Sequence, residues 1–230
     1  QLAAGVFQAR LAFLDVTVGM VHTGTDVLVI DCGTTRAEAG GIDRDISAMT
    51  GRTVAHVVLT HHHFDHILGV SAFADAAVWA APEVAATIAE RADWLRSDAL
   101  QHGADPAAVD EAIAALRIPD HLVRDATIDL GQSSVQVHHL GRGHTDHDLV
   151  VVVPPRDAAD PTVVFCGDLV EESGAPAVGP DADPAGWPHT LDRLLAVGGP
   201  HACYVPGHGA PVTADFVRAQ RDRLAARGAR

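Results

Sequence analysis

The sequence of 230 residues contains no lysine, a single tyrosine and only three cysteines. Without a lysine amine, Schiff-base catalysis and covalent attachment of pyridoxal phosphate are excluded. The cysteines, Cys32, Cys166 and Cys203, are odd in number and form no CxxC pair. A disulfide framework is therefore not expected, and a reducing compartment is favoured.

Long apolar runs are also missing. No segment approaches the roughly 18 to 20 apolar residues that cross a bilayer, and the first residues, "QLAAGVFQARLAF", lack the basic start and apolar core of a signal peptide. We therefore expect no membrane association and a cytoplasmic location. Because the sequence starts at Gln1 and not at methionine, whether further residues precede it is left open.

Positive charge is scarce, since 16 basic residues stand against 30 acidic ones and the formal net charge is −14. An acidic surface repels phosphate backbones, which argues against a nucleic-acid partner. Hydrophobic content of 47% with 20% charged residues is typical of a globular protein. The expected partner is a small-molecule substrate, and the oligomeric state is not predicted.

Strands and helices alternate along the chain. Short apolar runs predict buried strands over residues 27–30, 54–60, 149–153, 163–166 and 202–205, and a hairpin over 123–130 and 135–140. Apolar residues at helical spacing predict two helices within 82–117 and another from residue 213 onward. Residues 172–188 are rich in glycine and proline and predict a long loop. We expect one layered α/β domain over residues 1–230.

The segment "VVLTHHHFDHILG" (57–69) places four histidines and an aspartate within six positions after a predicted strand. In extended backbone, side chains alternate, so His61 and His63 point the same way and His62 points away. Asp65 and His66 follow where the chain turns toward a helix. The predicted metal-binding pattern is therefore H-x-H-x-D-H, with His62 outside the ligand set.

Polar residues follow other predicted strands as well, where binding residues tend to sit. His144, Asp168 and His208 extend the set to seven ligands, which is too many for one tetrahedral zinc ion and suits two ions. We assign His61, His63 and His144 to the first metal and Asp65, His66 and His208 to the second, with Asp168 bridging.

Other residues near these motifs have open roles. Asp31 is predicted to orient a ligand through a hydrogen bond and not to bind metal itself. Cys166 is a possible soft ligand but fits a small buried strand residue better. Residues 146–148 either lie near the site or form a solvated turn. Trp187, at the far end of the 172–188 loop, is predicted to contact the substrate.

The motifs resemble those of the metallo-β-lactamase superfamily. Its HxHxDH motif is similar to residues 61–66, and its later motifs are similar to "GRGHTDHD" (141–148), "FCGDLV" (165–170) and "VPGHG" (205–209), while "VIDCG" (29–33) resembles its early aspartate motif. The resemblance implies a four-layer αββα sandwich. The 82–117 helical segment and the 172–188 loop are the long stretches not committed to strands or ligand loops, and we expect them to flank the metal site.

The resemblance also guides the choice of activity. Familiar lactamases of this superfamily carry cysteine where this chain has Asp168 and use a lysine to hold the drug, so true β-lactamase activity is disfavoured. Asp168 is similar to the bridging aspartate of glyoxalase II and lactonases. Glyoxalase II has a further helical glutathione-binding domain, for which the roughly 20 residues after His208 leave no room, and lactonases have a tyrosine where "LVEE" follows Asp168.

We therefore predict a hydrolase with two divalent metal ions, zinc first and iron or manganese as alternatives. A metal-bridging hydroxide would attack a small ester, thioester, lactone or amide-like bond, and Asp65 would orient it and accept its proton. Two alternatives remain: a mononuclear iron persulfide dioxygenase of the same superfamily, and a metal-binding protein without catalysis.

Overall fold

Eleven strands form two sheets in the computed structural model, which describes residues 1–22 and 25–228. The first sheet has the order β1-β2-β3-β4-β5-β6, antiparallel from β1 to β3 and parallel from β3 to β6. Its strands are β1 Val6–Arg10, β2 Thr17–His22, β3 Val27–Ile30, β4 His56–Val58, β5 Ala77–Ala80 and β6 His121–Leu122.

The second sheet has the order β11-β10-β9-β8-β7 and is antiparallel except for the parallel pair β10 and β11. Its strands are β7 Asp125–Asp129, β8 Ser134–His138, β9 Val150–Val153, β10 Val163–Phe165 and β11 Cys203–Val205. The helices of the described chain are α1 Arg36–Thr50, α2 Phe64–Ile67, α3 Pro82–Glu90, α4 Ala92–Gln101, α5 Pro106–Ala114, α6 Trp187–Gly198 and α7 Ala214–Gly228. None of these helices combines the length and apolar character that crossing a bilayer requires.

Strand β9 shows why the layers stack as they do. Val151 and Val153 belong to a core that includes the first sheet, whereas Val150 and Val152 belong to a second core with helices α6 and α7. Since successive side chains of a strand point to opposite faces, the second sheet is covered on both sides. The result is the predicted αββα sandwich, and a strand buried on both faces explains its continuous run of valines.

Most predicted elements are present, with shorter bounds. The strand predicted over 54–60 is His56–Val58, the hairpin is present as β7 and β8, and the C-terminal helix begins at Ala214. The 82–117 segment contains three helices, not two, because the chain breaks at Arg91 as well as after His102. The 172–188 loop ends two residues early, since Trp187 and Pro188 begin helix α6 and proline fits the first turn of a helix.

Candidate metal centre

The candidate ligands are carried by turns at the ends of strands. His61 lies three residues after β4, and His63 is the residue that precedes helix α2, which carries Asp65 and His66. Asp168 sits in a single 3₁₀ turn after β10, and His208 lies three residues after β11. Because β10 and β11 are parallel neighbours, their carboxyl ends meet at one edge of the sheet. His144 reaches the same place from the β8–β9 connection.

The first cluster consists of His61, His63, His144 and Asp168, whose candidate ligand atoms all lie within 4.8 Å of one another. His63 Nδ1 is 3.1 Å from His61 Nε2 and 2.8 Å from His144 Nε2. The Oδ2 atom of Asp168 is 3.4 Å from His144 Nε2 and 3.8 Å from His61 Nε2. His62 is not part of this cluster, as the alternation of side chains predicts.

The second cluster consists of Asp65, His66 and His208. His208 Nε2 lies 3.4 Å from Asp65 Oδ2 and 3.4 Å from His66 Nε2. Asp168 reaches this cluster too, with Oδ1 3.2 Å from His66 Nε2 and Oδ2 3.3 Å from His208 Nε2. The close approach needs Gly207, where a Cβ atom would lie 1.8 Å from Asp168 Oδ1.

Each candidate histidine has one ring nitrogen occupied by a partner outside the clusters, which leaves the other nitrogen for a ligand. The partners of His61, His63, His66, His144 and His208 are, in that order, Thr60 Oγ1, Asp181 Oδ2, Asp31 Oδ2, the Ala177 carbonyl and the Leu14 carbonyl. A proton on the partnered nitrogen leaves a lone pair directed into the site.

The charges of the imidazoles are consistent with a cation between the clusters. Burial lowers the pKa of His61 well below its ordinary value and lowers the pKa of His144 to about 4, so both rings are neutral at pH 7. Burial would also lower the pKa of His66 and His208, but Asp168 raises that of His66 well above its ordinary value and that of His208 to about 10, which marks a place beside Asp168 where positive charge is stabilised. The Oδ1 atom of Asp168 is buried and accepts no hydrogen bond, although His66 Nε2 is near it. Facing lone pairs and an unpartnered buried carboxylate oxygen fit divalent metal ions.

Asp31 connects the two clusters through hydrogen bonds. Its Oδ2 accepts hydrogen bonds from Thr60 Oγ1 (2.8 Å) and from His66 Nδ1 (2.9 Å), and its Oδ1 accepts one from the Thr60 amide (2.8 Å). Thr60 Oγ1 in turn lies 3.0 Å from His61 Nδ1. One carboxylate thus orients a histidine of each cluster. Asp31 has a φ of 58°, a left-handed conformation that is strained for residues other than glycine and concentrates at functional sites.

Asp181, in the 172–186 loop, contacts His62 and His63, and the sequence does not predict this contact. Its Oδ2 accepts hydrogen bonds from His63 Nε2 (3.0 Å) and His62 Nε2 (3.1 Å). Burial alone would raise the pKa of Asp181, but these two imidazoles hold it well below its ordinary value. His62, predicted to lie outside the ligand set, therefore helps to hold the loop beside the first cluster. The other ring nitrogen of His62, Nδ1, lies 3.4 Å from the Thr87 hydroxyl.

Glu171 is a second residue beside the centre that the sequence analysis does not select. It is buried and groups with Asp168 and His208, with candidate ligand atoms within 4.8 Å. Its Oε1 accepts hydrogen bonds from the Ser173 amide (3.0 Å) and hydroxyl (2.7 Å). The spacing of three residues after Asp168 is a signal that could have identified it.

The contacts of Cys166 and of residues 146–148 decide the roles that the sequence left open for them. Cys166 is buried and its thiol donates to the Val164 carbonyl at 3.3 Å, so it points away from the ligands, as expected for a strand residue. His147 and Asp148 are buried, and Asp148 accepts hydrogen bonds from the amide and hydroxyl of Thr145. This turn supports the loop of His144 and is not solvated as a whole.

The prediction that Trp187 contacts the substrate is wrong. Trp187 is fully buried at the start of helix α6, packs in the second core and donates from Nε1 to the Leu169 carbonyl at 3.0 Å. The cavity beside the clusters is lined instead by Trp94 of helix α4. The 172–186 loop does line this cavity, through residues that include Ser173 and Asp181.

The chain is similar to known proteins over nearly its whole length. A model of the metallo-β-lactamase superfamily matches residues 11–208, a span that contains every candidate ligand. A metallo-beta-lactamase type 2 of Bacteroides fragilis is 36% identical over 98 residues, which are 41% of this chain and only 37% of that protein. An uncharacterized protein of Mycobacterium tuberculosis is 31% identical over 219 residues, 90% of this chain and 91% of the relative.

Solved structures share the fold at lower identity. A metallo-beta-lactamase from Pontibacter korlensis superposes with a TM-score of 0.74 at 22% identity, covering 97% of this chain and 96% of its own. The metallo-beta-lactamase FIM-1 from Pseudomonas aeruginosa, in a mono-zinc form, has a TM-score of 0.73 at 19% identity, covering 99% and 94%. At such identities the likeness shows the fold alone.

Fold, sequence match and His/Asp clusters together support a metal-dependent enzyme of hydrolase type. Since the matched span covers most of the chain and carries every motif described above, this protein belongs to the metallo-β-lactamase superfamily.

Proposed function

We propose that this protein is a dinuclear zinc hydrolase that cleaves a small ester, thioester, lactone or amide-like substrate. The observation that carries the proposal is the position of Asp168, whose two oxygens lie within 3.2–3.4 Å of His144, His66 and His208. A carboxylate shared by two histidine clusters fits two metal ions better than one.

In this proposal the two clusters hold separate ions and share Asp168. His61, His63 and His144 would hold one ion, and Asp65, His66 and His208 the other. When bound, such ions lower the pKa of water and polarise a carbonyl oxygen. Asp65, whose Oδ2 is 3.4 Å from His208 Nε2, would orient the attacking water and accept its proton. Asp31 and Asp181 would keep the imidazoles aligned through the hydrogen bonds described above.

The donor set supports zinc as the ion. Five imidazoles and two carboxylates are ligands that zinc commonly takes, and the thiols of Cys32 and Cys166 donate instead to the backbone carbonyls of His66 and Val164. Iron and manganese accept the same donors, so the metal must be measured. Among structural neighbours, FIM-1 is described in a mono-zinc form.

Elemental analysis combined with a substrate screen tests this proposal. Purified protein is stripped of metal, reloaded with zinc, iron or manganese, and assayed against esters, thioesters, lactones and lactams. We expect about two zinc ions per chain and the highest turnover with zinc. One iron per chain with oxidation of a persulfide would favour the dioxygenase alternative. Full metal loading without turnover of any of these bonds would favour a binding protein and contradict the proposal.

A further inference from the structure

The cavity beside the two clusters is large enough for a small organic substrate. Its volume is about 490 Å³, within the range of roughly 300 to 1,000 Å³ that is usual for ligand sites. Leu14, Phe64 and Trp94 supply apolar surface, and Asp65 and Asp168 stand where the cavity meets the clusters. An apolar part of a substrate would therefore find apolar side chains to pack against beside the clusters.

The charged groups of this cavity are almost all acidic. Beyond Asp65 and Asp168, three more carboxylates line it: Asp98 from helix α4, Glu171, and Asp181 from the loop. None of the lining residues that the structure describes is an arginine, and the sequence contains no lysine. His102 also lines the cavity, and its Nδ1 lies 3.4 Å from Asp98 Oδ1.

Arg91 stacks on a residue of the cavity but lines a neighbouring groove. The Arg91 guanidinium stacks over the Trp94 ring at 4.2 Å from its centroid. Arg91 lines a separate groove in which Glu83, Glu90 and Asp146 supply negative charge, and it is not among the cavity-lining residues. Trp94 thus separates this arginine from the space above the clusters.

This distribution of charge disfavours an anionic substrate. Two divalent ions would bring four positive charges, fewer than the five negative charges of the lining carboxylates. A substrate carboxylate beside Trp94 and Asp98, away from the ions, would lose its hydration without gaining an arginine or lysine as a partner, and it would face like charges. An uncharged group is free of this penalty, and a cationic group gains attraction from Asp98 and Asp181.

We infer that the cavity selects acyl substrates whose acyl group ends, beside Trp94 and Asp98, in an uncharged or cationic group and not in a carboxylate. This inference rests on the proposed hydrolase function and adds a substrate class to it.

A matched series of phenyl esters tests the inference. The acyl chain is kept constant and ends in a methyl, a trimethylammonium or a carboxylate group, so the leaving group is the same, and the uncatalysed rate of each ester is measured alongside and subtracted. With the zinc-loaded protein, we expect kcat/KM for the methyl and trimethylammonium esters to exceed that of the carboxylate ester by roughly tenfold. An equal or higher value for the carboxylate ester would overturn the inference while leaving hydrolysis in place.

Binding measurements keep the test independent of turnover. The three matching ketones cannot be hydrolysed, and titration calorimetry on the metal-loaded protein gives their relative affinities. The same order of affinities without turnover of any ester would contradict the proposed function but support the charge preference. Tightest binding of the carboxylate ketone would overturn the preference whether or not the esters are hydrolysed.

Two substitutions on one helix localise the effect. Asp98→Lys places a cation in the cavity and should raise the relative kcat/KM of the carboxylate ester severalfold. Asp93→Lys, five residues earlier on helix α4, makes the same change of net charge on an exposed residue outside the cavity and should leave the preference as in the parent protein. Equal shifts in both variants, or none in Asp98→Lys, would overturn the inference. If Asp98→Lys does not fold, Asp98→Asn and Asp93→Asn make the same comparison.

Discussion

The floor and the wall of the cavity are held in different ways. The floor, made of the seven candidate ligands His61, His63, Asp65, His66, His144, Asp168 and His208, is almost wholly buried, and the five histidines among them each have an outer hydrogen-bond partner. The wall, made of helix α4 and the 172–186 loop, is half-buried along most of the helix and exposed along most of the loop. The contrast indicates that metal chemistry depends on a fixed scaffold, whereas selectivity rests on segments that can vary without disturbing it.

The largest loss of metal and activity is expected when the residue shared by both clusters is removed. Asp168→Ala deletes a buried carboxylate that contacts histidines of each cluster, so bound metal should fall from about two ions per chain to about one or fewer. Activity should fall at least roughly 100-fold. Elemental analysis and steady-state kinetics check this. Retention of two ions and of the rate would show that Asp168 is not the shared ligand.

A smaller effect is expected from Asp31, which orients ligands through hydrogen bonds and is not itself a candidate ligand. Asp31→Asn preserves the side-chain shape and tolerates the left-handed backbone, but it replaces the charged acceptor of His66 and Thr60. Metal affinity, measured by competition with a chelator, should fall by up to roughly 100-fold. Asp15→Asn is the matched control, because Asp15 has the same φ of 58° and its carboxylate accepts hydrogen bonds from the partly exposed Arg10, away from the two clusters. Equal loss in both variants would point to backbone strain and not to ligand orientation.

The loop contributes to the floor through one residue, and its removal should have a moderate effect. Asp181→Asn weakens the acceptor of His63 Nε2, so affinity for the first metal should fall about tenfold while the second site is retained. Asp183→Asn, in the same loop, removes a carboxylate that accepts from the Gly186 amide and lies 3.7 Å from Arg142. Two-step metal titration distinguishes the variants. Unchanged affinity in Asp181→Asn would make the loop a substrate wall only.

The smallest catalytic effect should come from the wall itself. Trp94→Ala should raise KM severalfold with metal content intact, because Trp94 lines the cavity and supplies no ligand atom to either cluster, although its ring lies beside that of His63. Trp187→Ala should instead lower the free energy of unfolding by about 3–5 kcal/mol, since this ring is fully buried in the second core. Kinetics and thermal melts on both variants check the assignment. A KM change in Trp187→Ala at full stability would return that residue to the substrate site.

Local patterns predict the parts of the molecule that depend on neighbours in the chain. Strand β3 matches its apolar run residue for residue, while β1 and helix α1 escape prediction because β1 is only partly buried and α1 buries just Ala39, Ile42 and Ile46. The grouping of His61, His63, Asp65 and His66 follows from spacing, because six consecutive residues at a strand end must lie close together. His144, Asp168 and His208 could be proposed because strand ends recur at one edge of a sheet.

Contacts between distant segments were decided by the tertiary structure alone. Asp181 meets His62 and His63 across more than a hundred residues, and the Leu14 carbonyl meets His208 across 194. Irregular loops have no periodicity that fixes where a side chain points, so neither contact has a signal in the sequence. Trp187 faces the core and Trp94 lines the cavity because helix packing, not composition, decides where an aromatic ring lies. The sequence by itself indicated the seven candidate ligands, and packing decided what surrounds them, including Glu171 and Asp181.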